Sequence, residues 1–297
     1  MRNWGLYVLL LPTLLYAAIF LYWPMYGILI AFKDYKAPLG ILGSPWTDQH
    51  GLKYFLQFFS SYSFEEIVGN TLRISVYYLL VSTPIPIAFA LLLNYIERPG
   101  FKKVVQTVTY APHFISIMIL CGMLRIFLSP YGGLINVIAQ ALGAPEAVNY
   151  IDSASAFRTI YISSSIWQDA GWGTIIYLAT LSSVDASLHE AAKVDGASTW
   201  QRILHIDIPE LVPIIVIQLI MQFGNLMNVG FEKAFLLQTN LNKETSEIIA
   251  TYVYEQGMLK AMYSFSTAVG LFNTAVNIIL LIAVNKICKK LSDVSFI

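Results

Sequence analysis

The sequence contains little charge, since Asp, Glu, Lys and Arg together make up 12% of its 297 residues. A soluble globular domain carries about twice that fraction. Hydrophobic residues account for 57% of the chain, and its mean hydropathy is +0.62. A helix that crosses a bilayer needs roughly 20 apolar residues, and several runs of that length occur. The composition therefore predicts a polytopic membrane protein and excludes a soluble domain.

Several features that would indicate chemistry in this chain are also missing. The two cysteines, Cys121 and Cys288, have no metal-type spacing and lie in or beside different apolar runs, so we expect neither a disulfide nor a metal site. The formal net charge is zero and no long basic run occurs, which argues against a nucleic-acid partner. The sequence has no Walker A phosphate loop, no zinc-protease histidine pair and no G-x-S-x-G elbow. We therefore expect no catalytic centre and no cofactor in this polypeptide.

A polar, helix-prone stretch lies between two long apolar runs and reads LHEAAKVDGASTWQRILHIDIPEL from Leu188 to Leu211. Ser187 and Glu190 have the spacing of a capping box, which predicts a helix with Ser187 as its N-cap. Gly196 adopts the left-handed conformation easily, so the Asp-Gly pair that ends in Gly196 predicts the end of that helix.

A second short helix is expected to follow within the same stretch. Its amphipathic pattern places Trp200, Ile203 and Leu204 on one face. Pro209 is expected to end it, because proline cannot continue the hydrogen-bond ladder of a helix. The stretch therefore predicts a short helix, a bend and a second short helix between two membrane spans.

The spacing of this stretch resembles the EAA loop of binding-protein-dependent ABC importer permeases. The resemblance rests on Glu190-Ala191-Ala192, on Gly196 and on Ile206-x-Ile208-Pro209, with Ile208 where the family pattern has Leu. It implies an all-α integral membrane fold, the type I ABC importer transmembrane domain with six transmembrane helices. We name residues 185 to 209 the EAA segment. By resemblance, the residues that couple it to an ATPase are Glu190, Ala191, Ala192, Asp195, Gly196, Ile206 and Pro209.

The resemblance also implies roles and partners. Glu190 would pair with a basic group of the ATPase, the two alanines would allow close approach, and Gly196 would set the bend. The alternative for Glu190 is a capping role only. The implied partners are a second homologous permease in a heterodimer, two ATP-binding subunits that use ATP and Mg²⁺, and an extracytoplasmic solute-binding protein.

A second, narrower resemblance concerns the cargo. Pro24-Met25-Tyr26-Gly27, followed by residues 31 to 35, resembles the start of permeases for complex saccharides. It predicts import of oligosaccharides or polysaccharide fragments. Another solute for the same kind of permease stays open, and so does an ion-coupled secondary carrier. The lack of a clear internal repeat argues mildly against inverted-repeat carriers.

The hydropathy pattern predicts six spans. They run from Gly5 to Phe32 with a kink near Pro24, from about 68 to 95, from about 104 to 128 with an interruption near Pro112, and over about 157–181, 211–229 and 265–287. The first run also resembles a signal peptide, although it is longer than such a core. We divide the chain into residues 1–67, an N-terminal span with an extracytoplasmic loop, and residues 68–290, the permease core.

The distribution of Lys and Arg predicts the orientation in a bacterial cell membrane. With both termini in the cytoplasm, basic residues are denser in the inner segments than in the outer loops. The inner set is Arg2, Arg98, Lys102, Lys103, Lys193, Arg202, Lys286, Lys289 and Lys290, and the outer set is Lys33, Lys36, Lys53, Lys233, Lys243 and Lys260. The EAA segment then faces the cytoplasm, and the outer loops 33–67 and 231–263 are the expected landing surface for a solute-binding protein.

Polar side chains within the apolar runs predict a translocation path. Gln218, Gln222 and Asn225 recur at helical spacing on the fifth span, a pattern typical of a cavity or of hydrogen bonds between helices. Asp169 is an ionisable group at membrane depth, so it lines a water-filled path or pairs with a basic partner. Most aromatic residues are expected at the membrane interfaces or against lipid. The full set of path candidates is Trp167, Gln168, Asp169, Trp172, Gln218, Gln222, Asn225, Asn228, Tyr77, Tyr78, Asn273 and Asn277.

Overall fold

The computed structural model describes residues 4 to 292, and within them the chain is helical, with an isolated antiparallel bridge between Lys33 and Trp46 in place of any β-strand. The α-helices are α1 (Trp4–Tyr16), α2 (Gly40–Gly43), α3 (Lys53–Phe59), α4 (Ser63–Ser82), α5 (Pro84–Asn94), α6 (Pro99–Tyr110), α7 (Ile117–Phe127), α8 (Leu134–Ala141), α9 (Ala154–Ser182), α10 (Ala186–Val194), α11 (Thr199–Arg202), α12 (Ile208–Gly224), α13 (Phe231–Leu237), α14 (Lys243–Ser246), α15 (Ile249–Tyr254) and α16 (Tyr263–Ser292). The 3₁₀ segments are Trp23–Phe32, Ala37–Leu39, Gln49–Gly51 and Ala111–Phe114, and the π segments are Ala17–Tyr22, Ile203–Asp207 and Glu255–Leu259. The predicted all-α class is confirmed.

Four helical runs are long and apolar enough to cross a membrane: Trp4–Phe32, Ser63–Asn94, Thr199–Gly224 and Tyr263–Lys290. A bent pair, Pro99–Phe114 with Ile117–Phe127, makes a fifth if it is one span. The predicted fourth span corresponds to α9, which has 29 residues but carries many serines and threonines together with glutamine and aspartate. Six spans therefore stays a prediction, because the part of the chain described here yields four or five by length and composition.

The prediction that Pro209 ends a second short helix is wrong. The helix that begins at Thr199 runs through Pro209 and continues to Gly224 as one rod. Ile203–Asp207 is a π turn, in which the Ile208 N–H donates to the Ile203 carbonyl five residues back. This wider turn places the proline early in α12, where a missing N–H is tolerated. The helix that contains the fifth span thus begins twelve residues before the predicted start of that span at 211.

Prolines also determine how the second and third spans are divided. Pro84 lies at the first position of α5, directly after Thr83 interrupts the helix. Pro112 lies in the 3₁₀ turn Ala111–Phe114, and Ile115 after it is extended, so α6 and α7 meet at 97°. Ser116 then caps α7 by accepting the Ile119 N–H. The predicted interruption near Pro112 is confirmed.

By packing, the described residues form two compact units: 4–64 with 252–274, and 65–251 with 275–292. In the first unit, aromatic rings pack edge-to-face around Phe58, with Phe64, Phe265 and Phe272 among them. These aromatics form a core rather than an interfacial belt. The run Trp4–Phe32 keeps most of its large apolar side chains exposed, as a helix in contact with lipid does.

The second unit is organised around α9. Its buried residues recur every three or four positions along the whole helix, and they face α5, α6, α12, α13 and α14. The two ends of this stripe are apolar, because one end joins the cluster around Phe157 and Ile162 and the other the cluster around Tyr177 and Leu181. The middle of the stripe is polar. A polar helix centre between two apolar ends is where an internal cavity is expected.

Candidate translocation cavities and the EAA segment

Two cavities lie beside the polar middle of α9. The first, which we name the Lys233 cavity, has a volume of about 330 Å³ and is lined by Ile74, Ser75, Tyr78, Leu79, Ile117, Tyr161, Ser165, Gln168, Asp169, Gln222, Asn225, Leu226, Asn228, Val229, Gly230 and Lys233. The second, the Trp172 cavity, has a volume of about 720 Å³ and extends past Pro86, His113 and Trp172 to Gln218. Tyr78, Asp169 and Gln222 line both, so the two cavities adjoin.

The bend between α6 and α7 forms one wall of these cavities. The extended Ile115 leaves its carbonyl without a helical partner, and the Gln168 side-chain N–H donates to it at 2.7 Å. His113 Nδ1 lies 2.9 Å from Asp169 Oδ1, and the His113 ring stacks on Trp172 at a centroid distance of 4.6 Å. The partner of Asp169 is thus a histidine from the bend. This network holds the bend against α9.

The structure brings together eight of the twelve predicted path residues. Those that line a cavity are Tyr78, Gln168, Asp169, Trp172, Gln218, Gln222, Asn225 and Asn228. Asn225 and Asn228 follow the end of α12 rather than continuing its helical face. Whether these side chains contact a substrate stays a prediction.

Four predicted path residues lie elsewhere. Trp167 is half exposed and borders a separate groove beside α7. Tyr77 is exposed and lines neither cavity, because it is adjacent to Tyr78 on a helix and so points to another side. Asn277 is buried and its Oδ1 accepts the Met227 N–H at 2.9 Å, which holds α16 against the turn after α12. Asn273 belongs to the other compact unit and lines neither cavity.

Lys233 is the cavity residue that the sequence interpretation misplaced. We assigned it to an outer loop, yet it is 4% exposed and points from α13 into the Lys233 cavity. Its ammonium donates to Ser165 Oγ at 2.6 Å and lies 5.1 Å from the centre of the Tyr161 ring. The available signal was the helical spacing of Lys233, Ala234 and Leu237, all three of which are buried. The start of the predicted landing loop 231–263 is therefore part of the core.

The EAA segment begins with a different cap from the predicted one. Asp185 is the N-cap of α10, and its Oδ1 accepts the Ser187 N–H at 2.9 Å. Ser187 thus lies inside the first turn, and the predicted capping box of Ser187 with Glu190 is wrong. An aspartate two residues upstream competed for the same role, since Asp and Ser are comparable N-caps. Hydrogen bonds from the backbone N–H and the side chain of Ser187 hold the pKa of Asp185 below its ordinary value.

A tight turn links α10 to the rod that follows. Gly196 has φ +77°, the left-handed conformation that was predicted, and its N–H donates to the Lys193 carbonyl. The next N–H, of Ala197, donates back to the Ala192 carbonyl at 2.8 Å, as in a Schellman motif. Ser198 and Gln201 then form a true capping box at the start of α11. Three residues separate the end of α10 at Val194 from the new N-cap at Ser198.

The surface of the EAA segment carries unpartnered apolar and charged groups. Val194 is 88% exposed and Trp200 is 66% exposed. Glu190, Ala191 and Asp195 are exposed too, and no ion pair within residues 4 to 292 involves the Glu190 carboxylate. Large exposed apolar side chains beside a charge are typical of an interaction surface. Ala192 and Ile206 are half-buried beside a small groove.

A buried carboxylate joins α10 to two neighbouring helices. Asp207, which is fully buried, accepts a hydrogen bond from the Tyr95 hydroxyl at 2.7 Å, and its other oxygen lies 3.3 Å from His189 Nε2. Burial, and then the hydrogen bond to Asp207, raises the pKa of Tyr95 to about 12. The Arg202 guanidinium lies over the Tyr95 ring. Through Asp207, α10 is tied to the end of α5 and to the base of the Thr199–Gly224 rod.

A family model described as a binding-protein-dependent transport system inner membrane component matches residues 62–292. The chain belongs to this family. The permease therefore is a multi-pass membrane protein of a transport system, and the predicted family is confirmed.

Curated relatives and a solved structure match this permease along nearly its whole length. The polygalacturonan/rhamnogalacturonan transport system permease protein YteP of Bacillus subtilis (strain 168) is 43% identical, covering 97% of this chain and 88% of YteP. Protein LplB of the same organism is 41% identical, covering 97% and 90%. A crystal structure of a bacterial alginate ABC transporter, in complex with an alginate pentasaccharide-bound periplasmic protein, contains a chain that matches at TM-score 0.90 and 38% identity, covering 99% of this chain and 97% of that one.

Proposed function

We propose that this permease forms half of the translocation path of an ATP-driven ABC importer for oligosaccharides or polysaccharide fragments. The observation that carries the proposal is the pair of adjoining polar cavities beside α9, combined with the EAA segment at the end of the same helix. A relative named for polygalacturonan/rhamnogalacturonan transport and a structural neighbour from an alginate transporter support a saccharide cargo.

The EAA segment is the proposed contact with a separate ATPase subunit. Its exposed Glu190 carboxylate is available to a basic group, and exposed Val194 and Trp200 suit an apolar cleft. A short helix fixed at both ends transmits a rigid-body displacement, so closure of two ATPase subunits would tilt α9 and the Thr199–Gly224 rod together. ATP and Mg²⁺ are used by those subunits.

The rest of the assembly follows from the same proposal. One chain supplies one wall of a path, so a second homologous permease is needed to complete it. A solute-binding protein delivers the cargo on the extracytoplasmic side, as the periplasmic protein in the alginate complex suggests. Both termini and the EAA segment then lie in the cytoplasm of a bacterial cell. The loops 33–67 and 231–263 lie outside, except for the buried start of the second loop around Lys233.

Reconstitution in liposomes tests the proposal. The permease, its partner permease, the ATPase and a loaded solute-binding protein are combined, and uptake of labelled oligosaccharide is measured with and without internal ATP. We expect uptake that requires both ATP and the binding protein. Uptake driven by a sodium or proton gradient without ATP would establish a secondary carrier instead, and ATP-driven uptake of a different solute would retain the importer and change its cargo.

A further inference from the structure

Two lysines of this permease are buried to the same extent, and the first shows what a structural buried lysine looks like. Lys33 is 4% exposed. Its ammonium donates to the carbonyl oxygens of Leu42 and Ser44, at 2.9 and 3.1 Å, and lies 5.0 Å from the centre of the Trp46 ring. Backbone carbonyls and an aromatic face thus surround the charge. Lys33 closes the loop in which it lies, and that role accounts for its burial.

Lys233 is also 4% exposed, but its ammonium faces a cavity. An ammonium has three donors, and Lys233 donates to the Ser165 hydroxyl, a neutral acceptor, at 2.6 Å. The Tyr161 ring covers another side at 5.1 Å. Closing a loop does not account for this lysine, because the space beside it is open volume rather than backbone.

The cavity also contains an acidic side chain, Asp169, which could have neutralised Lys233. Its Oδ1 instead lies 2.9 Å from His113 Nδ1, on the side that faces the Trp172 cavity. Across residues 4 to 292, no salt bridge connects Lys233 with any carboxylate. Burying a charge is costly unless it is paired or binds a ligand. Asp169 lines the same cavity but makes no salt bridge with Lys233, so an anionic ligand that enters the cavity can bind the ammonium directly.

We propose that the Lys233 ammonium binds a carboxylate of the cargo, so that the permease selects acidic saccharides over neutral ones. A uronate residue offers a carboxylate for Lys233 and hydroxyls for the amides of Gln222 and Asn225, which line the same cavity. The ring of Tyr161 offers an apolar face beside the same ammonium. This inference rests on the proposed function, since it names the chemical class of the saccharide and the side chain that recognises it.

The test measures ATP-dependent uptake of trigalacturonate by the reconstituted complex with saturating loaded binding protein. Lys233→Met removes the charge and keeps the length of the side chain, and we expect uptake to fall by about tenfold or more. Lys233→Arg keeps the charge and should retain most of the uptake. Lys103→Met removes a positive charge from an exposed position on α6, and should leave uptake unchanged. Lys233→Gln provides a second neutral variant that still donates a hydrogen bond to Ser165.

A second measurement compares trigalacturonate with its methyl ester, both presented by the loaded binding protein. The wild-type complex should transport the acid faster, and the two neutral variants should lose that preference while the elution volume of the complex stays the same. Unchanged trigalacturonate uptake in Lys233→Met would overturn the inference. So would equal loss in Lys233→Met and Lys233→Arg, or equal wild-type uptake of acid and ester. A wild-type complex without ATP-dependent saccharide uptake would instead overturn the proposed function, and this inference with it.

Discussion

The EAA segment and the Lys233 cavity are built in opposite ways. The EAA segment is continuous in sequence, and its caps and its turn are local: Ser198 and Gln201 cap each other across three positions. The cavity is assembled from α4, α7, α9, α12 and α13, and the hydrogen bond from Lys233 to Ser165 spans 68 positions. A local motif fixes its own geometry wherever the chain places it, whereas the cavity exists only when five elements have packed.

The EAA segment and the Lys233 cavity should therefore tolerate different substitutions. Backbone damage in the EAA segment should leave the fold in place and interrupt transmission, because its caps and turn support no distant core. Backbone damage beside the cavity should lower stability, since α9 carries the packing of the second unit. Substitutions that separate coupling from folding therefore test the comparison directly.

The largest effect is expected for Gly196→Pro. Gly196 has φ +77° and its N–H donates to Lys193, and proline allows neither. The incompatibility costs about 3 kcal/mol locally, which lowers the population of the EAA segment in its docking conformation by roughly 100-fold. We expect ATP-dependent uptake into proteoliposomes to be nearly abolished. The amount of membrane-inserted permease and the rate of ATP hydrolysis by the ATPase should stay the same.

Gly143→Pro is the matched control. Gly143 has φ +100°, its N–H donates to Gln140, and the following Ala144 N–H donates to Ala139, which is the same hydrogen-bond pattern as at Gly196. The local damage is therefore equal, but Gly143 lies outside the EAA segment. Equal loss of uptake in both variants would show that coupling is not special to residues 185 to 209.

Gly171→Ala should act through stability. An added Cβ at Gly171 would overlap the carbonyl oxygen of Thr109, a backbone atom that cannot rotate away, where α6 packs on α9. Overpacking of this kind costs about 1–3 kcal/mol. We expect a lower Tm in detergent and less assembled complex, with normal coupling in the fraction that survives. Gly122→Ala, where an added Cβ meets no atom within 4 Å, should keep the wild-type Tm.

Sequence reasoning succeeded where the signal was local. Gly196, the break near Pro112 and the run Trp4–Phe32 follow from backbone constraints within a few residues. It failed at Pro209, because a π turn precedes the proline and no recognisable residue pattern marks that turn. It also failed at Ser187, where an equally good cap stands two residues upstream.

The cavity lay largely beyond local signals. Polar residues at helical spacing identified Gln218 and Gln222, whereas Lys233 was assigned to an outer loop because the fifth span was predicted to end at 229. Only the packing of α13 on α7 and α9 buries it. The hydrogen bond of Gln168 was equally hidden from the sequence. Its side-chain N–H donates to a backbone carbonyl that is free to accept only because the chain bends between α6 and α7.

A smaller effect on coupling is expected for Asp207→Asn. The variant keeps the shape of the side chain but removes the charge opposite His189 and leaves the hydrogen bond from Tyr95 weaker. A hydrogen bond to a charged group contributes about 1.5–3 kcal/mol, so we expect at least a fivefold drop in uptake per ATP hydrolysed. Tyr95→Phe removes one of the two contacts and should have a smaller effect. If uptake per ATP hydrolysed in Asp207→Asn equals that of wild type, α10 transmits its displacement through its covalent connections to the neighbouring helices and not through Asp207.

The smallest effect concerns the cap of α10. Asp185 accepts the Ser187 N–H, and because these hydrogen bonds lower its pKa in the folded protein, its contribution is fully present above the ordinary aspartate pKa and is lost as the pH falls through the lowered value. Asp185→Ala should therefore speed amide hydrogen exchange in α10 roughly threefold at neutral pH. After correction for intrinsic rates, the difference from wild type should shrink below about pH 4. A difference that persists in acid would assign the effect to helix propensity instead, and exchange in the core of α9 should be the same in both proteins because that helix has its own cap at Ser153.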